Sequence, residues 1–229
     1  MSNKNYYQAY QKRYEQVHRE NMLWESRLFT PDIIKCINHY KIQRNNKILD
    51  LGCGEGRDTI HLLEQGYDVL GIDYSIEAIN ISNKLSNNKY QNKFRQFDIM
   101  EDKLDSKFKF IYSVAVFHMF LLQEHRDKFL KFIKEHLLND GYCLLSMMGD
   151  GEKTYTSNID DAFKNAERVV NNKKINVATT SCRIVDWKTL EEEISRNGLI
   201  IKKKWISKDT PGFTKMMDVV IRKVGNNYE

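Results

Sequence analysis

Asp50-Leu51-Gly52-Cys53-Gly54-Glu55-Gly56-Arg57 holds the densest chemistry of this 229-residue chain. Glycines at alternate positions let a turning backbone approach a ligand that side chains would otherwise block. A dinucleotide-binding GxGxxG loop needs glycine at Gly52, Gly54 and position 57. Position 57 is Arg57, and the third glycine arrives one residue early at Gly56. That spacing argues against a pyrophosphate on the following helix N-terminus. Asp50, just before the loop, is poorly placed beside phosphates and suits a ligand with an ammonium group. Asp73 follows Val69-Leu70-Gly71-Ile72, where a carboxylate can take both hydroxyls of a ribose. Asp98 follows Phe94-Arg95-Gln96-Phe97, where it can accept from an exocyclic amine. Any one of these acids also reads as a helix cap or turn residue. Three of them at successive strand ends, beside a glycine loop, describe a site.

The elements that must position these residues alternate along the chain. Residues 1–44 read as helical, with Tyr6, Tyr7, Tyr10 and Tyr14 on one face. Thr30-Pro31 marks the start of a second helix there. Strands are expected at Lys47–Leu51, Tyr67–Ile72, Phe94–Phe97, Phe110–Val116 and Tyr142–Met147. Helices fall between them at Arg57–Gln65, at Ser75 to about Leu85, and at Leu121–Leu138 before Asn139-Asp140-Gly141. This order implies a parallel α/β sheet covered on both faces. The rhythm breaks at 150–185, expected to be a partly helical lid because Ile159–Val170 has helical spacing, and a loop of that length is usually functional. Asp186–Asn197 resumes as a helix. Leu199–Ser207 and Met216–Val224 then form an antiparallel edge hairpin around Asp209-Thr210-Pro211-Gly212. The organisation is one domain: a helical cap (1–46), a ligand-binding core (47–149), the insertion (150–185) and a C-terminal helix with a strand pair (186–229).

Composition narrows the function classes. With 41% hydrophobic residues the chain can bury a core of its own. The longest apolar run, Tyr112–Leu122, is interrupted by His118 and is too short to span a bilayer. No apolar stretch follows a basic start in the first twenty residues, so no signal peptide is visible and a cytoplasmic protein is expected. Cys36, Cys53, Cys143 and Cys182 are too scattered for a zinc knuckle or a CxxC site, and no metal is expected. Net charge is +5. Residues 1–46 carry eight basic against four acidic side chains, 47–150 thirteen against sixteen, and 151–229 fifteen against eleven. An acidic centre between basic flanks gives little reason to expect nucleic acid, and Lys202–Lys204 reads equally as a solvated strand face.

Residues 47–149 resemble the core of the class I S-adenosylmethionine-dependent methyltransferases. Ile48-Leu49-Asp50-Leu51-Gly52-Cys53-Gly54-Glu55-Gly56 is similar to their first motif and Gly71-Ile72-Asp73-Tyr74-Ser75 to their second. Gln96-Phe97-Asp98-Ile99 resembles the third, and Tyr112-Ser113-Val114-Ala115-Val116-Phe117-His118 the fourth-strand segment. The glycine loop running into Arg57-Asp58, with Phe117-His118, resembles small-molecule members of the tellurite-resistance and thiopurine types. Trp24 with Pro31 is similar to the aromatic N-terminal segment that closes over the cofactor in some of them. The resemblance implies a doubly wound, Rossmann-like seven-stranded sheet with its last strand pair antiparallel, and S-adenosyl-L-methionine as cofactor. It implies that Asp50, Arg57 and the Gly52, Cys53, Gly54 and Gly56 backbone hold the methionine end. Asp73 would take the ribose, Tyr74 would lie against the adenine, and Asp98 with Ile99 would grip its edge. Ala115, within Val114–Val116, would border the sulfonium.

Ser113-Val114-Ala115-Val116 stands where enzymes methylating base or amide nitrogens carry Asn-Pro-Pro-Tyr or Asp-Pro-Pro-Tyr, which lowers the odds of those acceptors. The expected activity is in-line methyl transfer to a small molecule, in which positioning supplies much of the rate. An RNA-modifying methyltransferase is the alternative, and a non-catalytic cofactor-binding protein a third reading. His118 is the candidate general base, with a packing histidine as the other reading. Tyr6, Tyr10, Tyr14 and Trp24 are candidates for a substrate wall or for a packing face. Met147, Met148, Tyr155, Arg168, Cys182 and Arg183 are possible contacts from the insertion and its border.

Overall fold

Alternating residues along the central strands feed two hydrophobic cores, one on each face of a sheet. In β1 (Lys47–Leu51), Ile48 enters one core while Leu49 and Leu51 enter the other. Phe110 and Ile111 divide the same way in β4 (Phe108–Val114), as do Leu144 and Leu145 in β5 (Leu137–Met148). The structure, a computed structural model, describes residues 3–170 and 173–225. Residues 1–2, 171–172 and 226–229, at the start of the expected helical segment, inside the expected insertion and at the chain's end, lie outside the described residues.

The remaining sheet strands are β2 (Asp68–Asp73), β3 (Phe94–Gln96), β10 (Leu199–Ser207) and β11 (Met216–Lys223). Their order is β10-β11-β5-β4-β1-β2-β3. The five strands from β5 to β3 are parallel, and β11 and β10 are antiparallel, as the sequence led one to expect. Helices α2 (Pro31–His39), α3 (Arg57–Glu64) and α4 (Ile76–Leu85) pack on one face through Ile33, Ile37, Ile60, Leu62 and Ile79. Helices α5 (Gln123–His136) and α6 (Trp187–Arg196) pack on the other through Phe129, Ile133, Leu190 and Ile194. Ser75 caps α4 by accepting from the Ala78 amide at 3.2 Å, and Asp186 caps α6 through the Thr189 amide at 2.8 Å. Among the described residues no helix is long and apolar enough to cross a membrane.

Three local expectations change. Residues 21–30, within the segment expected to be helical, are irregular and run as a connection between α1 (Ala9–Arg19) and α2. Helix α5 stops at His136 and the chain enters β5 at once; Phe108 pairs with Leu137 and Phe110 with Tyr142, so residues 138–141 bulge out of the ladder. The insertion is not helical over Ile159–Val170. Apart from one turn of 3₁₀ helix at Ile159–Asp161 it is built of strands: β6 (Tyr155–Thr156), β7 (Asn165–Val170), β8 (Lys173–Ala178) and β9 (Arg183–Ile184). The β7–β8 hairpin buries Val170, Ile175 and Val177 against Val17 of α1 (Ala9–Arg19), forming a third, small core. The β-branched side chains favour the pleated form, and α1 supplies the partner that makes it pay off in buried area.

Asp218 of β11 is fully buried and accepts from Ser146 Oγ at 2.6 Å. Buried Asp32, which accepts from Ser207 Oγ at 2.5 Å and from Lys35 Nζ at 3.0 Å, is its acidic neighbour. Burial, reinforced by Asp32, pushes the Asp218 carboxyl up to about 8. Its folded pKa lies above the unfolded value of about 3.9. The group's stabilisation is therefore complete below that unfolded value and is lost as pH rises through about 8. Asp218→Asn is expected to show a melting-temperature advantage over wild type that grows between pH 5 and 8 and then levels off. Thermal melts across that range check it.

Candidate functional site

The loops leaving β1, β2, β3 and β4, together with the N-terminal segment and the insertion, enclose a cavity of about 540 Å³. That volume suits a small molecule. Asp50, Gly52, Cys53 and Arg57 line it from the first loop, Asp73 and Tyr74 from the second, and Asp98 and Ile99 from the third. Ala115 and His118 line it after β4, and Trp24 lines it from the N-terminal segment. Gly54 and Gly56 stand behind this surface. A Cβ on Gly54 would collide with the Glu25 carboxylate, and Gly56, at φ 81°, forms the N-cap of α3. Ala115 holds a left-handed φ of 61° while its amide donates to Ser146 O at 2.8 Å. Such a conformation costs about 1 kcal/mol or more in a residue with a Cβ, a strain that is common at functional sites.

The strand-end acids are held rigidly. Asp73 accepts from the Gly54 amide at 2.9 Å and the Ser75 amide at 2.8 Å. Burial raises its pKa against the pull of those two bonds. Asp50 is 4% exposed and accepts from Thr59 Oγ1 at 2.6 Å; burial and neighbouring Asp58 push its carboxyl far up. Asp98 accepts from the Met100 amide at 2.8 Å and from the Tyr7 hydroxyl at 3.2 Å. Tyr7 also meets the Tyr74 ring edge-on, 5.8 Å between centroids.

The cover over these acids hangs on the glycine loop. Glu55, 1% exposed, accepts from the Trp24 amide at 2.8 Å and the Glu25 amide at 2.9 Å, and lies 2.7 Å from His18 Nε2 of α1. Asp58 accepts from the amide and the hydroxyl of Thr30 at 2.9 and 3.0 Å. Arg57 bridges the same pair, donating to Asp58 at 2.7 Å and to Thr30 Oγ1 at 2.9 Å. Glu25 thereby stands over Gly54 inside the cavity, accepting from the Tyr14 hydroxyl at 2.8 Å. Burial raises its pKa to about 7. Sequence spacing carried no signal for Glu25, and it placed Tyr7 and Glu55 on a helix face and in the loop without their contacts, which arise only when α1 and the 24–30 segment lie across the loop.

The ring of His118 is 3% exposed. Its Nδ1 accepts from the Met148 amide at 3.3 Å, and burial pushes its pKa down to about 3. A neutral ring whose Nδ1 accepts carries its proton on Nε2, which leaves Nε2 as a donor. The loop carrying it is held from below: buried Arg126 grips Glu193 at 2.8 and 2.6 Å and donates to Phe117 O at 3.1 Å.

Of the proposed substrate wall, Tyr10, Tyr14 and Trp24 line the cavity. Tyr6 does not; its hydroxyl accepts from the Leu121 amide at 2.8 Å and lies 3.0 Å from His125 Nδ1, a packing role. Met148, Arg168 and Cys182 line the cavity, whereas Met147, Tyr155 and Arg183 do not. Arg183 instead donates to Leu121 O at 2.9 Å. Pro211, Gly212 and Phe213, read from sequence only as a turn, also reach the cavity. Lys202, Lys203 and Lys204 lie on β10 at the sheet edge and do not line it.

Residues 16–202 match a family model described as a methyltransferase domain. A probable S-adenosyl-L-methionine-dependent methyltransferase TehB of Haemophilus influenzae is 36% identical over 100 residues, which are 43% of this chain and 35% of that protein. The match spans about a third of the length of the curated relatives. Among solved structures, Burkholderia thailandensis 1,6-didemethyltoxoflavin-N1-methyltransferase is similar with a TM-score of 0.70 at 17% identity, covering 98% of this chain and 92% of that one. An S-adenosylmethionine-dependent methyltransferase from Clostridium acetobutylicum has a TM-score of 0.67 at 17% identity, covering 93% and 96%. At such identity these two share the fold.

Removing the Glu55 carboxylate would strand two amides that a charged acceptor now satisfies. Glu55→Ala is expected to cost about 3 kcal/mol and to open residues 20–30 to protease. Urea melts and limited proteolysis of the variant check both outcomes.

Proposed function

Because the chain belongs to the methyltransferase-domain family, we propose that it is an S-adenosylmethionine-dependent methyltransferase acting on a small-molecule acceptor. The observation that carries this reading is the charge pattern of one cavity: Glu25, Asp50 and Asp73 converge beside the glycine loop, at the end where a cofactor with a cationic sulfur and an ammonium group would lie. The residues fit that group. Glu25 and Asp50 would receive the ammonium and Arg57 the carboxylate. Asp73 has lone pairs left for ribose hydroxyls, and Tyr74 with Asp98 and Ile99 would hold the adenine. We read the described chain as one domain in which α1, the 24–30 segment and the β7–β8 hairpin form a lid.

When bound, the cofactor would supply a methyl group on a positively charged sulfur, open to in-line displacement by an acceptor lone pair with a neutral thioether as leaving group; an acceptor that carries a proton would release it as the product leaves the site. The chain's part is to bind, orient and exclude water. His118, neutral at physiological pH, orients the acceptor as a donor through Nε2. Ala115 and Val116 wall the region where the acceptor and the methyl group would meet.

Calorimetric titration with S-adenosylmethionine and, separately, NADH tests the reading. Binding of the first alone is expected, and binding of NADH alone overturns it. Asp73→Asn is expected to weaken S-adenosylmethionine binding by about 1.5–3 kcal/mol, the scale of hydrogen bonds to a charged group. Glu25 adds a pH signature. The ammonium favours its ionised form, so below pH 7 binding must release a proton and affinity should rise from pH 6 to 8. Around Glu25 the titratable neighbours are Tyr14 on α1, Glu55, Arg57 and Asp58 on the loop and helix, and Asp50 on β1. In Glu25→Gln the affinity is expected to be lower and the rise to disappear, measured by the same titration at several pH values.

A further inference from the structure

We propose that the lid half of the cavity is a binding site for a planar aromatic acid, whose anionic group sits between Arg13 and Arg168. This deepens the methyltransferase reading by naming the class of acceptor, and rests on it.

Arg13, on α1, is 6% exposed, yet it has no carboxylate partner among the described residues. Its Nε and Nη2 both donate to one acceptor, Ala178 O of β8, at 2.9 and 2.8 Å. Its guanidinium lies 4.5 Å from the Trp24 ring centroid and 5.3 Å from that of Tyr10. Arg168 of β7 lines the same cavity and takes part in no ion pair among the described residues. The two cations act on each other unfavourably. A buried cation without a counter-ion is costly, and the exposed Arg168 adds like charge near it. An anion between them offsets both charges.

Apolar and aromatic groups line the same cavity. Tyr10, Trp24, Phe120 and Phe213 offer rings, and Met119 and Met148 offer thioethers, around the approach to His118. Flat faces of this kind select a planar body by stacking and dispersion. The cavity carries both charges: Glu25, Asp50 and Asp73 line it beside the glycine loop, and Arg13 and Arg168 line it from α1 and β7, so a cationic and an anionic ligand would have different partners in it. The acidic loop end would repel an acid that strayed into it.

The test compares benzoate, salicylate, anthranilate and picolinate with their uncharged amides. Each is titrated by Trp fluorescence into the protein, with and without saturating S-adenosylhomocysteine. At least one acid is expected to bind about tenfold or more tighter than its amide, a difference of about 1.4 kcal/mol. In Arg168→Gln, at an exposed strand position where folding is not at stake, that preference is expected to vanish while S-adenosylhomocysteine affinity stays within about twofold. Equal binding of acids and amides, no binding of any acid up to about 10 mM, or an undiminished preference in Arg168→Gln overturns the proposal. Failure of S-adenosylhomocysteine to bind the wild-type protein would instead strike the methyltransferase reading, since the acid preference is also measured without it.

Discussion

One buried carboxylate, Glu55, ties the two halves of this site together. It belongs to the glycine loop, but its oxygens are taken by amides of Trp24 and Glu25, thirty or more residues earlier in the chain. A charged acceptor sequestered from water needs such partners, and those amides, in an irregular segment, need an acceptor. Each satisfies the other. Asp58 repeats the arrangement with Thr30 one helical turn further on. The N-terminal segment is therefore bonded to the glycine loop itself, and the order of the loop and the order of its cover are coupled.

Gly54 shows what that coupling demands. Its amide donates to Asp73 on one side while the Glu25 carboxylate lies against its Cα on the other. No side chain fits between them. The same close approach brings five acids, Glu25, Asp50, Glu55, Asp58 and Asp73, around one end of the molecule's main cavity, with Arg57 among them. Mutual repulsion and burial raise several of these carboxyls, so this end gains most from a cationic ligand. The same cavity is also lined by Arg13 and Arg168, neither of which is in an ion pair among the described residues. Ala115 and His118 line it too, and the Arg126–Glu193 pair holds the loop that carries His118 through Phe117 O.

Much of this was legible in the residue order. The strand at Lys47–Leu51, the helix starts at Ser75 and Asp186, and the glycines after β1 are local features, and local sterics and hydrogen bonding decide them. The three strand-end acids could be located because a parallel sheet must bring successive strand ends to one rim. The insertion was not legible: Val170, Ile175 and Val177 become a hairpin because α1 presents Val17 to bury them, and nothing within the segment announces that partner. Residues 138–141 likewise bulge from β5 through pairing with β4, a contact their own spacing does not reveal.

The sequence by itself determined the alternation of strands and helices, the parallel sheet with its antiparallel hairpin, and the three strand-end acids, since these follow from periodicity and chain connectivity. Only tertiary structure decided the proton states and the cover. His118 reads from sequence as a candidate base or a packing ring, and its Nε2 is left as a donor because the Met148 amide occupies Nδ1 and burial disfavours the charged ring. Tyr6 and Tyr7 are neighbours of one kind, yet one is spent on packing beside His125 and the other reaches Asp98. Charge, proton and wall are properties of what surrounds a side chain, and those surroundings come from distant segments that no local pattern encodes.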